Sequence, residues 1–69
     1  MEEIKITTEY IKLDSFLKLC GAVMTGGHAK IVINNGEVEV NGDICTQRGK
    51  KLRDKDTVKY NGILYAVTK

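Results

Sequence analysis

The segment Thr57-Val58-Lys59-Tyr60-Asn61-Gly62-Ile63-Leu64-Tyr65-Ala66-Val67 constrains the fold more than any other part of the chain. Asparagine and glycine both tolerate positive φ, so an Asn-Gly pair between two alternating runs predicts an antiparallel hairpin with a two-residue turn. That turn pairs Tyr60 with Ile63 and Val58 with Tyr65, and it puts Val58, Tyr60, Ile63, Tyr65 and Val67 on one face. A face this apolar has to be covered. A chain of 69 residues forms one modest core and buries only about 60% of its unfolded surface. The cover must therefore come from the segments upstream, within a single domain over residues 1–69.

Those segments change period twice. Ile4-Lys5-Ile6-Thr7-Thr8 alternates as a half-buried strand does. From Asp14 onward, Leu13, Phe16, Leu17 and Cys20 recur at three and four residues, with Asp14 read as the N-cap and Gly21 as the stop of a short helix. Thr25 is a second N-cap, followed by Ala29, Val32, Ile33 and Gly36 at helical spacing, and Asn34-Asn35-Gly36 ends that helix. Glu37-Val38-Glu39-Val40 alternates again and runs into a second Asn-Gly pair, Asn41-Gly42. A two-residue turn there sets Val38 opposite Cys45 but leaves Ile44 facing the other side, so the apolar phase points to a longer turn or a bulge. The pattern is a strand, two short helices and a strand-rich C-terminal half.

Several function classes lose support. The two cysteines, Cys20 and Cys45, have no CxxC spacing and only one histidine to join them, so no metal site, cofactor or disulfide framework is expected. His28 has no nucleophile beside it and no glycine-rich phosphate loop is present, so the chain is read as no enzyme and as having no small-molecule substrate. No apolar run approaches the roughly 18 residues that span a bilayer. Met-Glu-Glu-Ile-Lys lacks the pattern of a signal peptide. A cytoplasmic monomer without membrane contact is expected.

Charge is the informative quantity. The chain carries 11 basic and 9 acidic residues. Arg48, Lys50, Lys51, Arg53 and Lys55 against Asp54 concentrate +4 between positions 48 and 55, and the rest of the chain sums to −2. A local field of this kind steers a polyanion to one surface. If the two helices pack side by side, Lys12 and Lys30 join the basic segment in one face, which would bind phosphates by Coulomb attraction and counterion release. The pair Gly26-Gly27 has two readings: relief of a close approach between the helices, or bare backbone N–H groups that form a small anion site. Of the aromatic residues only Tyr10 is read as free, so stacking of single-stranded bases is disfavoured relative to backbone and shape recognition.

The run IKLDSFLKLCGAVMTGGHAKIVINNGEVEVNG resembles the alpha-L RNA-binding motif, the domain type of ribosomal protein S-four. Leu13, Asp14, Leu17, Gly21, Ala29, Ile33, Gly36, Val38, Val40, Asn41 and Gly42 match its pattern. Lys12 stands where the motif usually has arginine, and Thr25 stands for serine. Two positions depart: Gly26 replaces an arginine, and Lys55-Asp56 replaces glycine-aspartate. The glycine pair and the segment QRGKKLRDKD are similar to small stand-alone bacterial members of the YaaA and YbcJ type. The resemblance spans residues 11–61. It implies an α+β fold with two short helices packed on a small, mostly antiparallel sheet, and binding to structured RNA, possibly ribosomal RNA. The RNA face it implies comprises Lys12, Thr25, Lys30 and the basic loop with Arg48, Lys50, Lys51, Arg53 and Lys55, with Asp14 and the glycines structural; on the anion-site reading of the residues Gly26 and Gly27 join that face. The alternative is a protein-interaction module whose basic loop meets an acidic protein partner.

Overall fold

A computed structural model describes residues 1–69. In chain order the elements are β1 (Glu2–Lys5), β2 (Ile11–Lys12), α1 (Leu13–Leu19), α2 (Gly26–Asn34), β3 (Val38–Val40), β4 (Asp43–Ile44), β5 (Lys51–Leu52), β6 (Thr57–Tyr60) and β7 (Ile63–Thr68). The expected α+β architecture is present: two helices lie against a five-stranded sheet of order β1-β7-β6-β3-β4, and β2 and β5 form a separate ribbon. All pairs are antiparallel except β1 with β7.

The C-terminal hairpin has the register its sequence predicts, Tyr60 opposite Ile63 and Val58 opposite Tyr65. Asn61 and Gly62 both adopt positive φ, +54° and +78°. Val58, Tyr65 and Val67 are buried on the predicted face, Tyr60 is half-buried and Ile63 at its rim is exposed. The covering layer is α1, through Leu13, Phe16 and Leu17, and α2, through Ala29, Val32 and Ile33. Phe16 meets Tyr65 edge-on, with ring centroids 6.2 Å apart and planes at 83°, a favoured aromatic geometry.

Four sequence expectations are corrected. The first strand ends at Lys5 rather than Thr8, because its neighbour β7 ends at Thr68; the N–H of Ile6 donates to Thr68 (2.7 Å) and no strand lies beside Thr7 and Thr8. The first hairpin has a two-residue turn and no bulge, with Val40 opposite Asp43 and Glu39 opposite Ile44. Ile44 consequently faces outward on an edge strand, 66% exposed. What holds this turn is polar: the N–H of Asn41 donates to the Thr57 carbonyl (2.9 Å), its Oδ1 accepts from the Thr57 N–H (2.9 Å), and its Nδ2 donates to Asp56 (3.1 Å).

The third correction concerns the glycine pair. A Cβ on Gly26 would meet nothing within 4 Å, and on Gly27 only the Thr25 hydroxyl at 3.9 Å. Helix packing therefore does not require either glycine. The fourth concerns Asp14, which lies inside the first turn of α1, where Lys12 and not Asp14 occupies the N-cap position.

Candidate nucleic-acid interface

The basic segment is organised by one apolar residue. Leu52 interrupts the run of cations and is fully buried, a burial worth about 1.5–3 kcal/mol. With Leu52 turned inward, its neighbours on a strand must turn outward. The partner strand repeats the pattern: Ile11 pairs with Leu52 towards the core, and Lys12 pairs with Lys51 on the outer side. Tyr10 and Arg53 continue that outer side. The Tyr10 ring lies 4.9 Å from the Lys51 ammonium and 5.6 Å from the Arg53 guanidinium. One face of the ribbon thus presents Tyr10, Lys12, Lys51 and Arg53, all exposed.

The segment preceding the ribbon is tied to α1. The N–H of Leu13 donates to the Lys50 carbonyl (2.9 Å) and that of Asp14 to the Arg48 carbonyl (3.1 Å). The first amides of a helix have no intrahelical acceptor, and here the basic loop supplies it. A side-chain cap is therefore unnecessary: Lys12 occupies the N-cap position without a side-chain bond, and the Asp14 carboxylate accepts from the adjacent Ser15 N–H (2.7 Å). The same bonds fix the backbone of Arg48 and Lys50 at the start of α1 while leaving both side chains exposed.

Lys55 sits farther along, in the turn that feeds β6. Its N–H donates to the Val67 carbonyl (2.8 Å), and Arg53 and Asp56 close the turn with two bonds of 3.0 and 2.7 Å. Thr25, Gly26, Gly27 and Lys30 stand on α2, which packs against α1. The Thr25 hydroxyl accepts from the His28 N–H (3.0 Å), the predicted cap, and the N–H groups of Gly26 and Gly27 meet no protein acceptor. No hydrogen bond or ion pair joins these α2 residues to the ribbon. An open concavity of about 380 Å³ lies beside Lys50, with Val40, Ile44, Cys45 and Gln47 among its walls.

The one ion pair of the molecule, Lys69 with Glu9 at 2.8 Å, lies outside this set. Lys69 holds the Glu9 carboxyl below its usual range, first by that hydrogen bond and then by charge, with a smaller part from Arg53. Lys12, Lys30, Arg48, Lys50, Lys51, Arg53 and Lys55 are exposed and none is matched by a carboxylate. Such an arrangement can hold a polyanion along its backbone. Tyr10 is the residue the sequence reading left out of the site. Its signal was the repeated triplet, since Tyr10-Ile11-Lys12 and Lys51-Leu52-Arg53 each flank one apolar residue with outward polar or aromatic ones.

Comparison with known proteins gives these features a family context. A family model described as S4 domain matches residues 4–68, wider than the 11–61 span of the sequence resemblance. The probable ribosome maturation protein RlbA of Bacillus subtilis (strain 168) is 42% identical over 59 residues, covering 86% of this chain and 83% of that protein. The solution structure of YbcJ from E. coli, described as having an ALFAL motif involved in RNA-binding, aligns over 100% of this chain and 89% of that one. Its TM-score is 0.76 at 30% identity. The 30S ribosomal protein S4e of Thermoplasma acidophilum shares the fold, with a TM-score of 0.66 at 20% identity, over 87% of this chain and 32% of that protein.

Proposed function

The chain belongs to the S4 domain family, and from that premise we propose that it is a non-catalytic, monomeric, cytoplasmic RNA-binding protein, a single domain that docks on structured RNA of the ribosome. The observation that carries this reading is the set of unmatched cations gathered on the ribbon and at the start of α1. Relatives point the same way: one is named as a probable ribosome maturation protein and another is described by RNA binding. No helix of the chain is long and apolar enough to cross a membrane.

In this reading Lys12, Lys51 and Arg53 hold phosphates from the ribbon face, and Arg48 and Lys50 extend the same track at the start of α1. Thr25, Gly26, Gly27 and Lys30 contribute from α2, where the free N–H groups stand in place of the arginine usual at position 26. Lys55 contributes charge from the adjoining turn. Contacts of this kind set position and register on the RNA without reading sequence.

The test is a titration of a ribosomal RNA fragment at several salt concentrations. Five phosphate contacts give a log-log slope of several units, on the order of 0.7–0.9 per contact. Reversing charge at Lys50 and Lys51 together should weaken binding at least about tenfold at low salt and reduce the slope by roughly 1.5 units. An unchanged affinity and slope would overturn the assignment, and a protein partner retained after complete nuclease digestion would favour the acidic-partner reading instead.

A further inference from the structure

The outward face of the ribbon contains more than phosphate-binding groups. Tyr10 is 36% exposed and contributes nothing to the buried core. Its hydroxyl has no protein partner; the one side-chain bond near it is from the Thr8 hydroxyl to the Tyr10 carbonyl (2.8 Å). Its ring is flanked by two cations of the facing segment, Lys51 of β5 at 4.9 Å and Arg53, just after β5, at 5.6 Å. Lys12, opposite Lys51, stands two residues after Tyr10, in β2.

This juxtaposition of an aromatic face and three cations fits one nucleotide with both its parts. We propose that Tyr10 is a base-stacking residue and that the RNA recognised here carries an unpaired nucleotide, bulged or at a loop, whose base lies on the Tyr10 ring while its flanking phosphates take Lys12, Lys51 and Arg53. The inference rests on the RNA-binding reading and narrows it, since a continuous duplex offers no base to the ring.

The chemistry favours the exchange. In the free protein the cations rest against the electron-rich ring, a weak contact at an exposed site. When phosphates arrive, Lys51 and Arg53 gain stronger charge-assisted partners. The uncovered ring then stacks with the base, an interaction that exceeds an exposed cation–π contact and tolerates any base identity. A duplex satisfies only the first half of this exchange. The surface therefore discriminates between RNAs by the presence of an unpaired base beside the backbone.

Two synthetic RNA hairpins, each closed by a non-nucleotide linker so that neither has a loop base, test this; they are alike except that one has a single bulged 5-iodouridine and the other is fully paired. Wild-type protein is expected to bind the bulged hairpin roughly 5- to 30-fold tighter. Irradiation should crosslink the iodouridine to Tyr10, located by mass spectrometry. Tyr10→Phe, which keeps the ring, should retain the preference, and Tyr10→Leu should reduce it to less than about twofold while its unfolding midpoint and its affinity for the paired hairpin stay near wild type. The proposal is overturned if wild type shows no preference, if the crosslink maps elsewhere, or if Tyr10→Leu weakens both hairpins equally; in that last case Tyr10 only positions Lys51 and Arg53. Equal binding of both hairpins with the salt slope intact refutes the stacking alone, whereas absence of salt-dependent binding to either refutes the RNA-binding reading as well.

Discussion

Lys55 has a backbone φ of +78°, in the left-handed region that disfavours every L side chain. Asn41 and Asn61 share that region, at +52° and +54°, but asparagine tolerates it far better than lysine. Lys55 lies in a turn closed by the bonds between Arg53 and Asp56 and by its own N–H donating to Val67, and these hold the chain in this bend. The related motif usually has glycine here, and the geometry supplies the reason. Lys55→Gly should raise stability by on the order of 0.5–1 kcal/mol, after the entropy that glycine adds to the unfolded chain. A urea titration checks it, and a lower midpoint would refute the strain argument. Asn-Gly turns were legible in the sequence because both residue types signal positive φ. A lysine gives no such signal, so this position emerged only with the backbone.

At the scale of elements, the ribbon combines three placements that work against stability. Lys12 and Lys51 are directly opposite each other, and like charges in that relation are destabilising. Lys12 is also the N-cap of α1, where the helix dipole favours an anion rather than a cation. The nearby side chains of Arg48 and Lys50 add charge of the same sign. Lys12→Glu reverses the first two at once, so it should stabilise the fold by roughly 0.5–1.5 kcal/mol while weakening RNA binding several-fold. Paired measurements of the urea midpoint and of RNA affinity decide this; movement of both in the same direction would contradict a ribbon kept basic for binding. The helices and the C-terminal hairpin were legible because their periods run over several turns or strand residues. The ribbon was not, since β2 and β5 have two residues each and a run that short has no measurable period. The N-cap assignment to Asp14 failed for a related reason: the acceptors for α1 come from Lys50 and Arg48, more than thirty residues away in sequence, and local capping rules do not reach that far.

Over the whole molecule, the layer of helices, the five-stranded sheet and the ribbon share a core of 14 buried residues, none of them charged. Tyr65 joins the layers: it belongs to β7, meets Phe16 of α1 edge-on, and is only 4% exposed. Burial pushes the Tyr65 phenol above its ordinary pKa, and the neighbouring Cys20 raises it further. Cys20 itself is raised, again chiefly by burial. Both groups are neutral when protonated, so the folded chain retains their protons at pH values where the unfolded chain has released them. Stability from this source is complete below the unfolded values, near pH 8.5 for a thiol and 10 for a phenol, and is lost as pH rises through the folded ones. Tyr65→Phe isolates the part of the phenol, because it keeps the ring against Phe16 and removes the ionising hydroxyl. The wild-type urea midpoint should fall between about pH 8 and 10.5, and the Tyr65→Phe midpoint should fall less over the same interval. Equal slopes would mean that the joint between the layers does not govern alkaline unfolding.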